Sequence, residues 1–341
     1  MTKRVTMADV AERAGVSKTA VSLVLNDRPN TRLSEDVADR VRAAAAELDY
    51  RPNPAARTLR NGKSQIVGFI SDEVTITRYA SAMIRGALDA AQLREHTVLI
   101  AETGIDRSRR DRVIQTMLDQ RPDGLIFALM GARQIDVPEI PADLPVVILN
   151  GISTTDHPCV LPAEFCAGSE IAETLVAAGH RRIGLIGATA LGPVDPRVSA
   201  TVGDRMAGIG AVLDRAGVPV VGSATGLEWE PQTGHRMTHQ ILDDHPDLTA
   251  LICLNDRLAF GAYQASQERG RRIPDDLSVV SFDDEEIASY LRPQLTTARI
   301  PYEEMGREAM AMLLDAAGDQ AHPRRVVMPV QYRESVRPPQ P

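Results

Sequence analysis

Apolar residues in the first 50 positions recur at intervals of three and four, as on one face of a helix. Beyond residue 64 they gather into short continuous runs between helical patterns. Three helix starts are marked in the first part. Thr6 precedes "MADVAERA" with Asp9 three residues on, a capping-box spacing, and Val5 and Val10 are placed as a hydrophobic staple. Ser17 repeats the device with Val16 and Val21, and Ser34 opens "EDVADRVRAAAAELDY", where Val37, Val41, Ala44 and Leu48 form one stripe. Gly15 falls in the turn between the first two helices, so the pattern is helix-turn-helix. In the second helix Ala20, Val21, Val24 and Leu25 face inward, leaving Lys18, Thr19, Ser22, Leu23 and Asn26 on or near the outer face. This three-helix head fits a DNA-binding module or a protein-interaction module.

Further along, "QIVGFIS", "TVLIAE", "GLIFAL" and "PVVILN" alternate with helices near 79–93 and 107–120. "RIGLIG", "TALICLN" and "LSVVSFD" alternate with helices near 164–179, 204–216, 231–245 and 256–270. Continuous Val/Ile/Leu strands between helices predict parallel sheets covered on both faces, here two doubly wound α/β subdomains. In such sheets ligands bind beyond the carboxyl ends of the strands. That rule selects Asp72, Asn150, Asn255, Asp256, Asp283 and Asp284, any of which can instead cap the following helix.

Composition narrows the function. The 341 residues suggest two or three domains, and 43% hydrophobic with 25% charged residues is the balance of a soluble globular protein. No apolar run is long enough to span a membrane, and the N-terminus lacks the apolar segment of a signal peptide. Cys159, Cys166 and Cys253 fit no CxxC spacing, so a cytoplasmic location is expected, with Cys159 and Cys166 as ordinary small apolar residues. The net charge of −8 hides an asymmetry. Residues 1–63 carry 12 Lys/Arg against 8 Asp/Glu, a balance of +4, and the rest carries 26 against 38, a balance of −12. Only the head is suited to a polyanion.

After Tyr50, "RPNPAARTLRNGKS" offers Asn53 as N-cap, Pro54 at a first helical position, and Arg57, Arg60 and Lys63 around Leu59. It is either a short basic helix that folds against DNA or a basic linker. Trp229, the chain's only tryptophan, either stacks on a ligand ring or fills the core. His235 and His239, four apart, read as surface histidines rather than a metal site. "GLIGATALG" reads as a ligand-side loop, and "RRDR" at 109–112 as a solvated helix face. There is no phosphate loop and no nucleophile elbow, so no metal, cofactor or catalytic residue is expected.

"VTMADVAERAGVSKTAVSLVLN" with "LSEDVADRVRAAAAELDYRPNPAARTLRNGKS" resembles the DNA-binding head and hinge of the lactose-repressor (LacI/GalR) family of bacterial transcription regulators. "AAGHRRIGLIG", "NDRLAFGAYQA", "LTTARIP" and "RESV" extend the likeness. The resemblance implies a head at 1–50, a hinge helix or linker at 51–63 and a periplasmic-binding-protein-like body at 64–341. Its N-subdomain would span about 64–161 and 292–324, and its C-subdomain about 162–291 and 325–341. It places Lys18, Thr19 and Leu23 at base edges and Thr6, Ser22 and Asn26 at phosphates, with Ser17 completing the head's DNA-facing set. In the hinge it places Ala56 near the bases and Leu59 as a minor-groove wedge, with Arg57 beside them. Asn150, Arg205, Trp229, Asn255 and Asp283 align with effector-contacting positions, to which Asp72 and Tyr79 are added.

Three departures stand out. Leu23 replaces the Arg of many relatives, Glu164-Phe165 replaces the usual Asp-Asn, and Ser281 replaces a usual Gly. The implied function is a homodimeric repressor binding operator DNA under control of a sugar or nucleoside-like effector, by induction or by corepression. A periplasmic solute-binding protein would have a signal peptide and no basic head. An enzyme on the same scaffold would need an acid-base pair or an activated nucleophile.

Overall fold

The computed structural model describes residues 5–25, 33–50, 62–73, 75, 77, 79–104, 107–187, 194–224, 228–315 and 323–340. The chain folds as two units, Met1–Gln65 and Ile66–Pro341. In the first, helices α1 (Met7–Ala14), α2 (Lys18–Leu25) and α3 (Glu35–Glu47) begin where the caps predict. Thr6 Oγ1 accepts from the Asp9 backbone N–H at 3.4 Å while Asp9 Oδ2 accepts from the Thr6 N–H at 2.7 Å, a complete capping box. Ser17 Oγ accepts from Ala20 N–H at 3.1 Å, and Ser34 Oγ from Val37 N–H at 3.4 Å. Gly15 ends α1 at φ 67°, a left-handed conformation that a Cβ would strain. Val10, Val21 and Val41 meet with no exposed surface, and Val5, Val16 and Leu25 close over them. The expected hinge at 51–63 falls almost wholly outside the described residues, as do Asn26, Ala56, Arg57 and Leu59.

The second unit holds two six-stranded sheets with the same winding. The first carries β1 (Ile66–Ser71), β2 (Thr97–Glu102), β3 (Gly124–Ile135), β4 (Val146–Ser153), β5 (Cys159–Pro162) and β11 (Arg324–Val326) in the order β11-β5-β4-β3-β1-β2. The second carries β6 (Ile183–Ile186), β7 (Val220–Ala224), β8 (Ala250–Cys253), β9 (Ser278–Asp283), β10 (Thr296–Arg299) and β12 (Val330–Gln331) in the order β12-β10-β9-β8-β6-β7. Among the described residues, pairing is parallel except between β10 and β12. Helices α4 (Ala80–Gln92), α5 (Arg107–Asp119) and α11 (Tyr302–Leu314) cover the first sheet. The second is covered by α6 (Glu164–Ala177), α7 (Val202–Ala216), α8 (Pro231–Asp244) and α9 (Asp256–Glu268), with short α10 (Glu286–Tyr290) after β9. Buried Val67, Phe69, Ile126 and Leu149 on one face of the first sheet, and Leu185, Ile252, Val280 and Phe282 in the second, show why these strands read as continuous apolar runs.

The predicted crossings between subdomains need correction at two places. β10 pairs with β9, so the chain leaves the second sheet after Arg299 rather than near 292. β11 pairs with β5, so the last crossing lies between Val326 and Val330 rather than at 324. Both strands are too short to stand out as apolar runs. Cys159 and Cys253 are buried, whereas Cys166 is exposed on α6 and is no core residue.

Candidate functional site

The strand ends of the two sheets meet around a cavity of about 360 Å³. Asn150, Arg205, Trp229, Asn255, Asp283 and Tyr79, six of the seven residues expected to contact an effector, line it. Asp283 comes from a strand end, Tyr79, Arg205 and Asn255 from helix starts, Asn150 from within β4 and Trp229 from the loop just before α8. Asn150, in β4, and Asp283, at the end of β9, have φ of 57° and 108°. Non-glycine residues held there carry strain, which clusters at functional sites. Asn150 Nδ2 donates to the Leu129 carbonyl at 2.9 Å. Asn255 is the N-cap of α9, accepting from Leu258 N–H at 2.8 Å while its Nδ2 donates to the Trp229 carbonyl at 3.1 Å. Its amide is thus used to cap a helix and to fix the backbone that carries Trp229.

Arg205 and Glu164 are both buried and form a two-pronged pair: Nε to Oε2 and Nη2 to Oε1, each 2.7 Å. Arg205 Nη1 also donates to the Leu254 carbonyl, and the guanidinium lies 4.3 Å over the Phe282 ring and 6.0 Å from the Trp229 ring. Desolvation works against the guanidinium charge, but Glu164 outweighs it and holds Arg205 above its ordinary range. Burial pushes the Asp283 carboxyl well above its usual range; Arg205 pulls it down while Asp256, Glu285 and Glu164 push it up. Tyr79 stacks on Tyr302 with centroids 5.0 Å apart and donates to Glu285 Oε1 at 2.7 Å.

Asp72 does not line this cavity. It pairs with Arg133 at 2.6 Å beside a neighbouring cavity of about 340 Å³, and its Oδ1 accepts from the Met130 N–H at 3.1 Å. Met130 does face the main cavity, so Asp72 acts on that wall through the backbone. A larger cavity, about 580 Å³, shares Tyr79, Asp283, Ile300 and Tyr302, but is lined mainly by 283–287 and 299–304, around a single crossing. Glu164, Tyr302, Met130 and Thr201 were missed as site residues. For Glu164 a signal existed: it was one of the departures from the family pattern.

In the head, Lys18 and Thr19 are exposed and Ser22 and Leu23 half-buried along the outer side of α2, while the hydroxyls of Thr6 and Ser17 are engaged in capping. The "GATALG" stretch lies outside the described residues from 188 to 193. His235 and His239 both reach Glu268 Oε2, at 2.9 and 3.0 Å. Arg269 Nε donates to His239 Nδ1 at 2.8 Å, which assigns the hydrogen of that ring to Nε2, facing Glu268. These hydrogen bonds, with the Arg269–Asp243 ion pair at 2.7 Å, form a seam between α8 and the end of α9.

Two family signatures match the chain. That of bacterial regulatory proteins of the lacI family covers residues 6–53, and that of the periplasmic binding protein-like domain covers 172–336. The ribose operon repressor of Haemophilus influenzae is 31% identical over 317 residues, 91% of each chain. The HTH-type transcriptional repressor PurR of Photorhabdus laumondii is 29% identical, covering 94% of this chain and 95% of its own. The crystal structure of the lac repressor dimer bound to operator and the anti-inducer ONPF matches with a TM-score of 0.78 at 26% identity, over 98% of this chain and 100% of that one.

Proposed function

This chain belongs to the lacI family of bacterial regulatory proteins, and we propose that it is a homodimeric transcriptional repressor whose grip on operator DNA is set by a small sugar or nucleoside-like metabolite. The observation that carries the reading is the cavity formed where two sheets present their strand ends, lined by six of the residues expected there. The name of the ribose operon repressor supports a sugar-like ligand. Trp229 and the Tyr79–Tyr302 stack offer ring faces, while Asp283 and Asn150 offer acceptors for hydroxyls.

Lys18, Thr19 and Leu23 read base edges in the major groove from α2, while Ser22 on the same helix approaches a phosphate. Thr6 and Ser17 stand at helix N-termini, where backbone N–H groups suit phosphates. Asn26 and the hinge residues Ala56, Arg57 and Leu59 complete the contacts. The protein binds rather than turns over its ligand, and acts in the cytoplasm with the DNA it controls. Control is by linkage: the metabolite binds one arrangement of the two subdomains better, and a coupling of about 1–3 kcal/mol gives roughly 5- to 150-fold control of DNA affinity. Deleting residues 1–63 is the test. Binding to genomic fragments selected by the full chain vanishes, while stabilisation by the metabolite survives; loss of neither rejects the reading.

A further inference from the structure

We infer that the cavity takes an uncharged, hydroxyl-rich ligand and rejects phosphorylated or carboxylated forms of it, because its arginine is already neutralised from within by Glu164. The inference rests on the metabolite reading above and adds the ligand's charge class. Arg205 is the only cationic side chain among the described residues lining the cavity. Both prongs of its fork are taken by Glu164 at 2.7 Å, a third donor goes to the Leu254 carbonyl, and its face is covered by Phe282. An anion would have to compete for this guanidinium and leave Glu164, 1% exposed, as an uncompensated buried charge.

Asp283 presents a carboxyl group with no hydrogen-bond donor from the described residues, and Asn255 Nδ2 gives one of its two hydrogens to the Trp229 carbonyl. Asn150 Nδ2 likewise gives one of its two hydrogens to the Leu129 carbonyl. Two carboxyl groups, one of them already paired with Arg205, therefore face one cation. The donors in the wall, the hydroxyls of Ser199, Thr201 and Tyr302, the Trp229 indole N–H and the amide hydrogens, are neutral; they suit ligand hydroxyls, which both donate and accept, and bring no charge to balance an anion. Burial first, then the charges of Asp256, Glu285 and Glu164, push the Asp283 carboxyl up against the pull of Arg205, and those same neighbouring charges would oppose an anion placed beside it.

The test uses the full-length protein with matched probes: D-ribose and ribose 5-phosphate, D-glucose and glucose 6-phosphate, adenosine and AMP, and inorganic phosphate alone. Thermal shift and calorimetry are read at constant ionic strength. A neutral member binds, its phosphorylated partner binds about 100-fold more weakly or not at all, and inorganic phosphate gives no shift beyond that of chloride. Glu164→Gln keeps one acceptor for Arg205 but removes the neutralising charge. It narrows the gap between the neutral and phosphorylated members of a pair by about tenfold or more, whatever it does to the affinity for the neutral member. A phosphorylated member or phosphate binding the parent protein as tightly as the neutral probe overturns the inference alone. Silence from every neutral probe counts against the metabolite reading and removes this inference with it. The parent protein's discrimination decides the matter even where Glu164→Gln fails to fold.

Discussion

Asp256 has no exposed surface, and the hydrogen bonds it makes to described residues are all accepted: from Ser281 Oγ and Thr297 Oγ1 on one oxygen and from the Glu285 N–H on the other. Burial pushes its carboxyl up to about 7 against the pull of those three donors. In the unfolded chain the same group titrates near about 4. Between roughly pH 4 and 7 the native state therefore binds more protons than the unfolded state, and this group's contribution to stability falls as the pH rises. Asp256→Asn does not titrate. With its oxygen toward the Glu285 N–H and its amide toward two hydroxyls that can turn to accept, it is expected to keep the fold and to gain stability relative to the parent as the pH rises from 5 to 8. Denaturant titrations at both pH values check this; a stability difference that does not change with pH would show that the carboxyl titrates normally. Leu23 poses the other residue-scale question. It sits half-buried on the outer side of α2, and an apolar side chain cannot make the bidentate contact to guanine that arginine makes, so the proposed role for it is to meet a thymine methyl or to exclude water. Leu23→Arg should move the preferred base toward guanine at one position of each half-site in a binding selection. An unchanged profile would remove residue 23 from the reading face.

Three pairs of helices touch through reciprocal glycines. A Cβ on Gly86 of α4 would stand 1.8 Å from the Glu303 carbonyl oxygen, and one on Gly306 of α11 2.1 Å from that of Met83. Gly168 and Gly208 relate α6 and α7 in the same way, at 2.2 Å from the Arg205 oxygen and 2.1 Å from the Phe165 oxygen. Gly234 and Gly261 do so for α8 and α9, at 2.2 and 2.1 Å. Backbones this close leave no room for any side chain. The α6–α7 contact also brings Glu164 and Arg205, 41 positions apart, into one ion pair. Gly208→Ala is expected to cost about 1–3 kcal/mol or more and to misalign that pair, weakening ligand binding. Gly210→Ala, two residues on with nothing within 4 Å of its Cβ, should instead stabilise by about 0.4–1 kcal/mol. Thermal melts of the two variants with and without ligand separate these outcomes, and equal effects would refute the close-contact argument. Helix starts were legible because a cap is local: Thr6, Ser17 and Ser34 each act within three residues. The glycine contacts were not legible, since a helical glycine read alone is only a weak helix former.

The same limit acts on the whole molecule. The strand-end rule found Asn150, Asn255 and Asp283 because each follows its own apolar run, whereas Asp72 obeys the rule and still faces a neighbouring cavity. Strands β10 and β11 were hidden because their pairing, not their composition, assigns them to a sheet. That pairing matters for control: Glu164 and Tyr302 directly follow two of the crossings between subdomains, so cavity walls and hinges share residues. Bonds also tie the subdomains across the cleft. Gln134 N–H donates to the Pro196 carbonyl at 2.8 Å, Ala200 N–H to that of Ala132 at 2.7 Å, and Tyr79 Oη to Glu285 Oε1 at 2.7 Å. These ties favour the arrangement in which both subdomains wall the cavity, the arrangement a ligand touching both walls also favours. Tyr79→Phe removes one tie while leaving the ring free to stack on Tyr302, and loses on the order of 1 kcal/mol from that arrangement. By linkage, the variant's DNA affinity without ligand should then shift by up to about fivefold, opposite in direction to the shift the ligand produces in the parent protein. This sign holds whether the ligand induces or corepresses, and direct loss of a ligand contact does not enter a measurement made without ligand. DNA titrations of parent and variant, with the parent repeated in the presence of its ligand, give both directions. Movement in the same direction would mean that the tied arrangement is not the one the ligand selects.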